Sequence, residues 1–179
     1  FQLEQPADEV RVAARQDDLD LVRCLANVED EHANPLAGLV RLARDLLAAD
    51  NSAIFLPDGT VESGSQSFRA IVAEGSVAAQ LKDTVIHPGV GIIGTIISSG
   101  RGEFVNDANH DPRAVQVAGT KQESDERLMV APLRTGKTVK GAMAVWRKAG
   151  RPFLQSELEF LTGLSLAATV AMENARLFA

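Results

Sequence analysis

Gly89-Val90-Gly91-Ile92-Ile93-Gly94 spells G-x-G-x-x-G between a short strand pattern and a helix pattern. Glycines at that spacing can bring backbone amides onto a pyrophosphate at a helix N-terminus. The preceding strand is short and ends at Pro88, however, and no run of parallel strand–helix units follows. A tight turn into a packed helix accounts for the same residues, so an NAD site is not favoured, and without a Gly-Lys-Ser/Thr this is no Walker loop. Arg113 has the fork geometry to hold a carboxylate or phosphate through two parallel donors. It could equally pin its own loop by pairing with Asp107 or Asp111. Iron or haem would require converging His or carboxylate ligands. His87 and His110 lack metal-ligand spacing, which leaves iron at His110 a minority alternative. No G-x-S-x-G frames a nucleophile, and the carboxylate pairs Asp17-Asp18 and Glu29-Asp30 fall on a charged, solvated helix. Cys24, the single cysteine, excludes an intramolecular disulfide and a four-thiolate metal site. It reads as a buried structural thiol on a helix seam.

The elements that must position these residues follow from periodicity. Pro6 to His32 reads as one helix with a thin apolar stripe of Val10, Ala14, Leu21, Leu25 and Val28, more a helix–helix seam than a core face. Asn34 caps a second helix that has Pro35 at its first position. Its broad apolar face is Leu36, Leu39, Val40, Ala43, Leu46 and Leu47. Strands are expected at Ala53–Leu56, Phe68–Ala73, Thr84–His87 and Phe104–Val105. Pro57-Asp58-Gly59 marks a turn, and short helices fall at Val77–Leu81 and at Ile92–Ser99, the latter ended by Gly100. Asn106 to Glu126 is polar and irregular, and loops of that length are commonly functional or mobile. Arg127–Arg134 and Thr138–Arg147 form a hairpin about Thr135-Gly136-Lys137. From Gln155 to Phe178 runs a long helix in which Leu161, Ser165, Ala168, Met172 and Ala175 make a heptad seam of small residues. The order predicts an α+β fold: a mainly antiparallel sheet with terminal helices on one face and a short-helix and loop segment over the other.

The whole chain narrows the function further. Its 179 residues suffice for one domain with a full core. A net charge of -6 without a basic stripe argues against nucleic acid, and one Trp with no Tyr leaves no stacking platform. No apolar run reaches membrane-spanning length and no signal peptide is visible, so a cytoplasmic location is expected. Phe1 in place of Met reads as a piece of something longer.

Six stretches, in order over residues 34 to 178, resemble a GAF domain: Gly89–Gly94 with its helix, Phe104-Val105-Asn106-Asp107, Asp111-Pro112-Arg113, Glu126–Leu133, Gly141–Trp146 and Glu173–Phe178. They are similar to GAF domains of bacterial histidine kinases, cyclases and related phosphatases. The resemblance implies an N-terminal dimerisation helix (1–33) and a GAF domain (34–179), both terminal helices pairing in a homodimer that relays a signal to a covalently linked output domain. Such a module senses a small molecule and is not an enzyme; in a two-component system it would be a regulatory part. The resemblance also frames the cofactors. Asn106, Asp125 and Glu126 echo the Asn-Lys … Phe … Asp-Glu signature of cyclic-nucleotide relatives, but Asp107 replaces the Lys and Lys121 the Phe. Cyclic nucleotide is thus possible but not favoured. Bilin relatives need a Cys in the pocket segment, and reductase relatives need several; Cys24 serves neither.

The implied pocket is roofed by Ile92 to Arg127 over one sheet face. Asn106, Asp107 and Arg113 would be its polar groups, and Phe55, Ile93, Val105 and Met129 its apolar lining, the usual mixture of a small-molecule site. The alternative is a ligand-free GAF-like module that only dimerises and spaces other domains.

Overall fold

A computed structural model describes residues 11–12, 16–26, 34–62, 64–120 and 125–177. In chain order these form β1 (Arg11–Val12), α1 (Gln16–Ala26), α2 (Pro35–Leu46), β2 (Asn51–Glu62), β3 (Ser65–Gly75), α3 (Ala78–Lys82), β4 (Val85–Ile86), α4 (Gly91–Ser99), β5 (Glu103–Val105), β6 (Arg127–Thr135), β7 (Thr138–Arg147) and α5 (Gln155–Leu177). The sheet runs β4-β3-β2-β7-β6-β5, antiparallel throughout that path, with β1 pairing in parallel beside the start of β7. The expected α+β architecture is present. Among the described residues, no helix is long and apolar enough to cross a membrane.

Both faces of the sheet are buried, and alternation along the strands divides them. Ile54, Leu56, Met129, Ala131, Met143 and Val145 point into one core, shared with α1, α2 and α5. Their neighbours Ala53, Phe55, Leu128, Val130, Ala144 and Trp146 point into a second core, beneath α3 and α4. Because successive side chains of a strand leave on opposite faces, each central strand supplies both layers.

Three helical expectations need correction. Residues 11–12 pair with Thr138 and Val139 as a strand, so the first helix begins at Gln16 rather than Pro6. Val10, Ala14 and Val28 of its stripe lie outside the described residues; Leu21, Val22 and Leu25 are buried in the first core. A part-buried ion pair, Lys140 Nζ to both oxygens of Asp18 at 3.0 Å, fastens α1 to β7. Cys24 is exposed, not the buried thiol its seam position suggested, because the buried face of α1 is set by Leu21, Val22 and Leu25. On α2 the cap is as read: Asn34 Oδ1 accepts from Leu36 N–H at 2.9 Å, while its Nδ2 donates to the Leu25 carbonyl. Leu46, though, faces solvent, and Ala37 takes a core place in its stead.

The seam of α5 also has its partner inside the chain. Leu161, Ser165, Ala168 and Met172 are buried, Leu161, Ala168 and Met172 within the core shared with the sheet and α2. Small residues let a helix lie close to a sheet as readily as to another helix. The outward face of α5 carries Phe160, Leu166 and Val170, exposed at 39%, 63% and 52%.

Candidate functional site

A cavity of about 490 Å³ opens on the sheet face opposite α1, α2 and α5. Phe55, Leu128 and Trp146 form its floor. Leu81 of α3 and Val85 and Ile86 of β4 stand at one side. Val90, the start of α4 (Gly91 to Ile93) and residues 114–117 close over it. The size falls within the range of small-molecule sites, roughly 300–1,000 Å³. Phe55 and Trp146 meet edge to face, with ring centroids 6.4 Å apart and planes at 63°, an arrangement that holds both rings in place.

The glycine-rich motif shapes this roof without offering a phosphate cradle. Gly89 and Gly91 adopt φ of 81° and 74°, the left-handed region that only glycine enters freely. Gly89 N–H donates to the Gly94 carbonyl at 2.8 Å, closing the turn. A Cβ on Gly94 would sit 2.2 Å from the His87 carbonyl oxygen. The third glycine therefore serves the close approach of helix and turn, as the packed-turn reading required.

Two of the seven expected site residues, Phe55 and Ile93, line the cavity. Val105 packs against the same core without reaching it. Asn106 is structural instead. Its Oδ1 accepts from Phe153 N–H at 2.7 Å and its Nδ2 donates to the Phe153 carbonyl, binding the end of β5 to the approach of α5. Asp107 is exposed and holds His110 Nδ1 at 2.7 Å. That hydrogen bond raises the His110 pKa above its ordinary value. Among the described residues, no cluster of His, Cys, Asp and Glu suits a metal ion. Met129 points into the opposite core, one residue out of phase with Leu128, so it cannot line this cavity. Arg113 pins its loop. Its guanidinium bonds both oxygens of Asp111 and both of Glu103 at 2.7–3.0 Å.

Arg113 thus acts through Asp111, as one alternative held, and through Glu103, which sequence reasoning missed. Its hydrogen bond draws the Asp111 carboxyl below the usual carboxylate range, and Asp111 in turn raises the Arg113 pKa further. For a lowered carboxyl the sign is fixed: the tie is complete above the usual carboxylate range and is lost as falling pH protonates Asp111. Arg113→Ala should leave the fold intact while speeding amide exchange over residues 106–120 by roughly tenfold, a modest figure because the pair is part-exposed. Hydrogen exchange read by mass spectrometry checks this; unchanged rates would mean the loop is held elsewhere.

Residues that sequence reasoning did not place in the pocket supply part of its polar lining. Asn51 pairs with Trp146 across β2 and β7, and with Gly75 across β2 and β3, which sets Ser76 beside it. Asn51 is buried, and its Oδ1 accepts from Val77 N–H at 3.0 Å. On the other side of β7, Leu128 pairs with Trp146 and Arg127 with Arg147. Glu126 and Lys148, each one residue beyond that last pair, both line the cavity. Counting back from the hairpin turn was the available signal, but the register slips between Leu133 and Arg134.

Comparison with known proteins agrees with this geometry. Residues 35–172 match the family model of the GAF domain. The second GAF domain of DevS from Mycobacterium smegmatis superposes with a TM-score of 0.60 at 23% identity, over 76% of this chain and 89% of that one. The GAF domain of a phosphoenolpyruvate-protein phosphotransferase from Coxiella burnetii gives 0.68 at 19%, over 90% and 95%. The free methionine-R-sulfoxide reductase of Neisseria meningitidis, solved in complex with its substrate, gives 0.66 at 17%, over 97% and 100%. Among proteins of curated function none matches. The chain belongs to the GAF domain family, whose members are typically regulatory and sensory parts of signalling proteins.

Proposed function

We propose that this GAF domain senses a small molecule in the cavity over Phe55, Leu128 and Trp146 and relays its occupancy through α5 to an output domain. The carrying observation is the cavity itself: about 490 Å³, walled mainly by apolar side chains, with polar groups that include Asn51, Ser76, Glu126 and Lys148. A module that only spaced other domains would have no use for it. Chemistry of the reductase kind is not favoured either. The lone thiol, Cys24, sits exposed on α1, across the sheet from the cavity.

The relay has a physical route. Trp146 lines the cavity, and the next residue, Arg147, leaves the opposite face of β7. There it donates to the Leu47 carbonyl at the end of α2, to the Arg151 carbonyl and to Glu157 at the start of α5. A ligand that favours one setting of β7 would bias how these helices sit, which is a shift between existing populations.

The output end is a homodimer formed by the outward face of α5. Phe160, Gly163, Ala167 and Val170 recur at steps of three, four and three, and Gly163 faces open space. That spacing is a helix–helix seam. Native mass spectrometry of protein purified from cells should show a dimer carrying a retained compound. In Phe160→Glu/Val170→Glu the dimer should fall apart, with association weakened by about a hundredfold or more, while the cavity stays occupied. A dimer untouched by both charges would sink the α5 interface. Protein that never retains or takes up any compound would sink the sensing role.

A further inference from the structure

Resting on the sensing role just proposed, we infer that the cavity takes a zwitterion with a large apolar body: a free amino acid with a bulky side chain, or a close derivative. The observation is that one acid and one base, Glu126 and Lys148, line a chamber that is mainly apolar, with Thr84, His87, Asn109, Gln116 and Thr120 as further polar groups in its wall. Glu126 precedes β6 and Lys148 follows β7, each one residue beyond the paired Arg127 and Arg147, and both line the cavity together with Trp146 and Leu128. Both side chains are half-buried, and each already has a partner within the chain.

The charge pattern decides the class. A ligand of a single charge would gain from one member and be opposed by the other, in a chamber where desolvation makes a mismatch costly. A neutral apolar ligand would cut both off from water and give nothing back. A zwitterion avoids both penalties, placing its carboxylate by Lys148 and its ammonium by Glu126, with the carboxylate–ammonium–Glu126–Lys148 set alternating in sign. Asn51 and Ser76, which also line the cavity, add uncharged donors and acceptors. The apolar body then lies along Trp146 and Phe55, towards Leu81 and Ile93.

Trp146 is the one tryptophan in the sequence, so its indole N–H gives a single, site-specific signal in a ¹⁵N-labelled sample. Titration with L-tryptophan, L-phenylalanine and L-leucine should shift that signal saturably for at least one of them. The matching amide, which lacks the carboxylate, and the N-acetyl form, which lacks the ammonium, should each bind about tenfold more weakly or worse. Lys148→Met should weaken the amino acid by a similar factor yet cost its amide little, and Glu126→Gln should spare the N-acetyl form in the same way. These crossed losses separate charge recognition from damage to the fold. Indole binding as tightly as the amino acids would overturn the zwitterion and leave the sensing cavity standing. A signal that no amino acid and no indole moves would overturn the zwitterion and count against the cavity as a site.

Discussion

Arg147→Met is expected to destabilise the domain by about 3 kcal/mol, a large part of the roughly 5–15 kcal/mol that holds a typical domain folded. Arg147 is 3% exposed, and its guanidinium reaches the Leu47 and Arg151 carbonyls and, at 2.9 Å, the Glu157 carboxylate. It also lies 4.2 Å from the centre of the Phe153 ring. Methionine fills much of the space but leaves two carbonyls and a carboxylate short of a donor. Two features keep the loss below the upper range for a broken buried ion pair. Glu157 retains Arg151 at 3.6 Å and the Leu154 N–H. Arg147 Nε is itself buried without a hydrogen-bond partner among the described residues, so methionine removes one unfavourable group. Urea unfolding followed by circular dichroism measures the difference. A loss under about 1 kcal/mol would show that the three segments are held together without this side chain. Because the same residue joins the cavity strand to α2 and α5, the variant should also loosen the first turn of α5 in hydrogen exchange.

The elements were legible because their signals are local. Asn34-Pro35 announces a cap, Thr135-Gly136-Lys137 a hairpin, and the resemblance ordered the pieces between them. Which face of each element does what was less legible. The strands β6 and β7 are apolar on both sides because both sides are covered, so alternation separates Leu128 from Met129 without saying which of them meets the cavity. A run of small residues on α5 says that something packs closely there; whether it is a partner's helix or the chain's own sheet depends on contacts distant in sequence. Arg113 illustrates the same limit for charge. Its near neighbour Asp111 was a visible partner, but Glu103 comes within reach only because the loop folds back beside β5. The charged lining of the cavity was hidden for a related reason. Glu126 and Lys148 are ordinary loop-flanking charges until the hairpin brings the ends of β6 and β7 together at the cavity.

Gly94→Ala and Gly38→Ala should move stability in opposite directions although each exchanges a helical glycine for the best helix former. On propensity alone both would gain about 0.5–1 kcal/mol. Gly38, within α2, has nothing within 4 Å of where its Cβ would stand, so it should realise that gain. At Gly94 the added carbon would stand 2.2 Å from the His87 carbonyl oxygen and 3.4 Å from the Gly89 nitrogen, both backbone atoms that no rotamer can move. To admit it, α4 must draw back from the turn and stretch the 2.8 Å bond between Gly89 and Gly94. Overpacking of this kind with a weakened hydrogen bond should outweigh the propensity and leave a net loss of roughly 2–3 kcal/mol. The displacement falls on His87 and Val90 to Ile93, which line the cavity, so Gly94→Ala should also shift the Trp146 indole signal while Gly38→Ala leaves it in place. Paired urea titrations of the two variants decide the matter. A Gly94 variant as stable as the parent would mean that the helix does not need its close approach to the turn. The three glycines that spell a dinucleotide fingerprint would then be without the packing reason given for them.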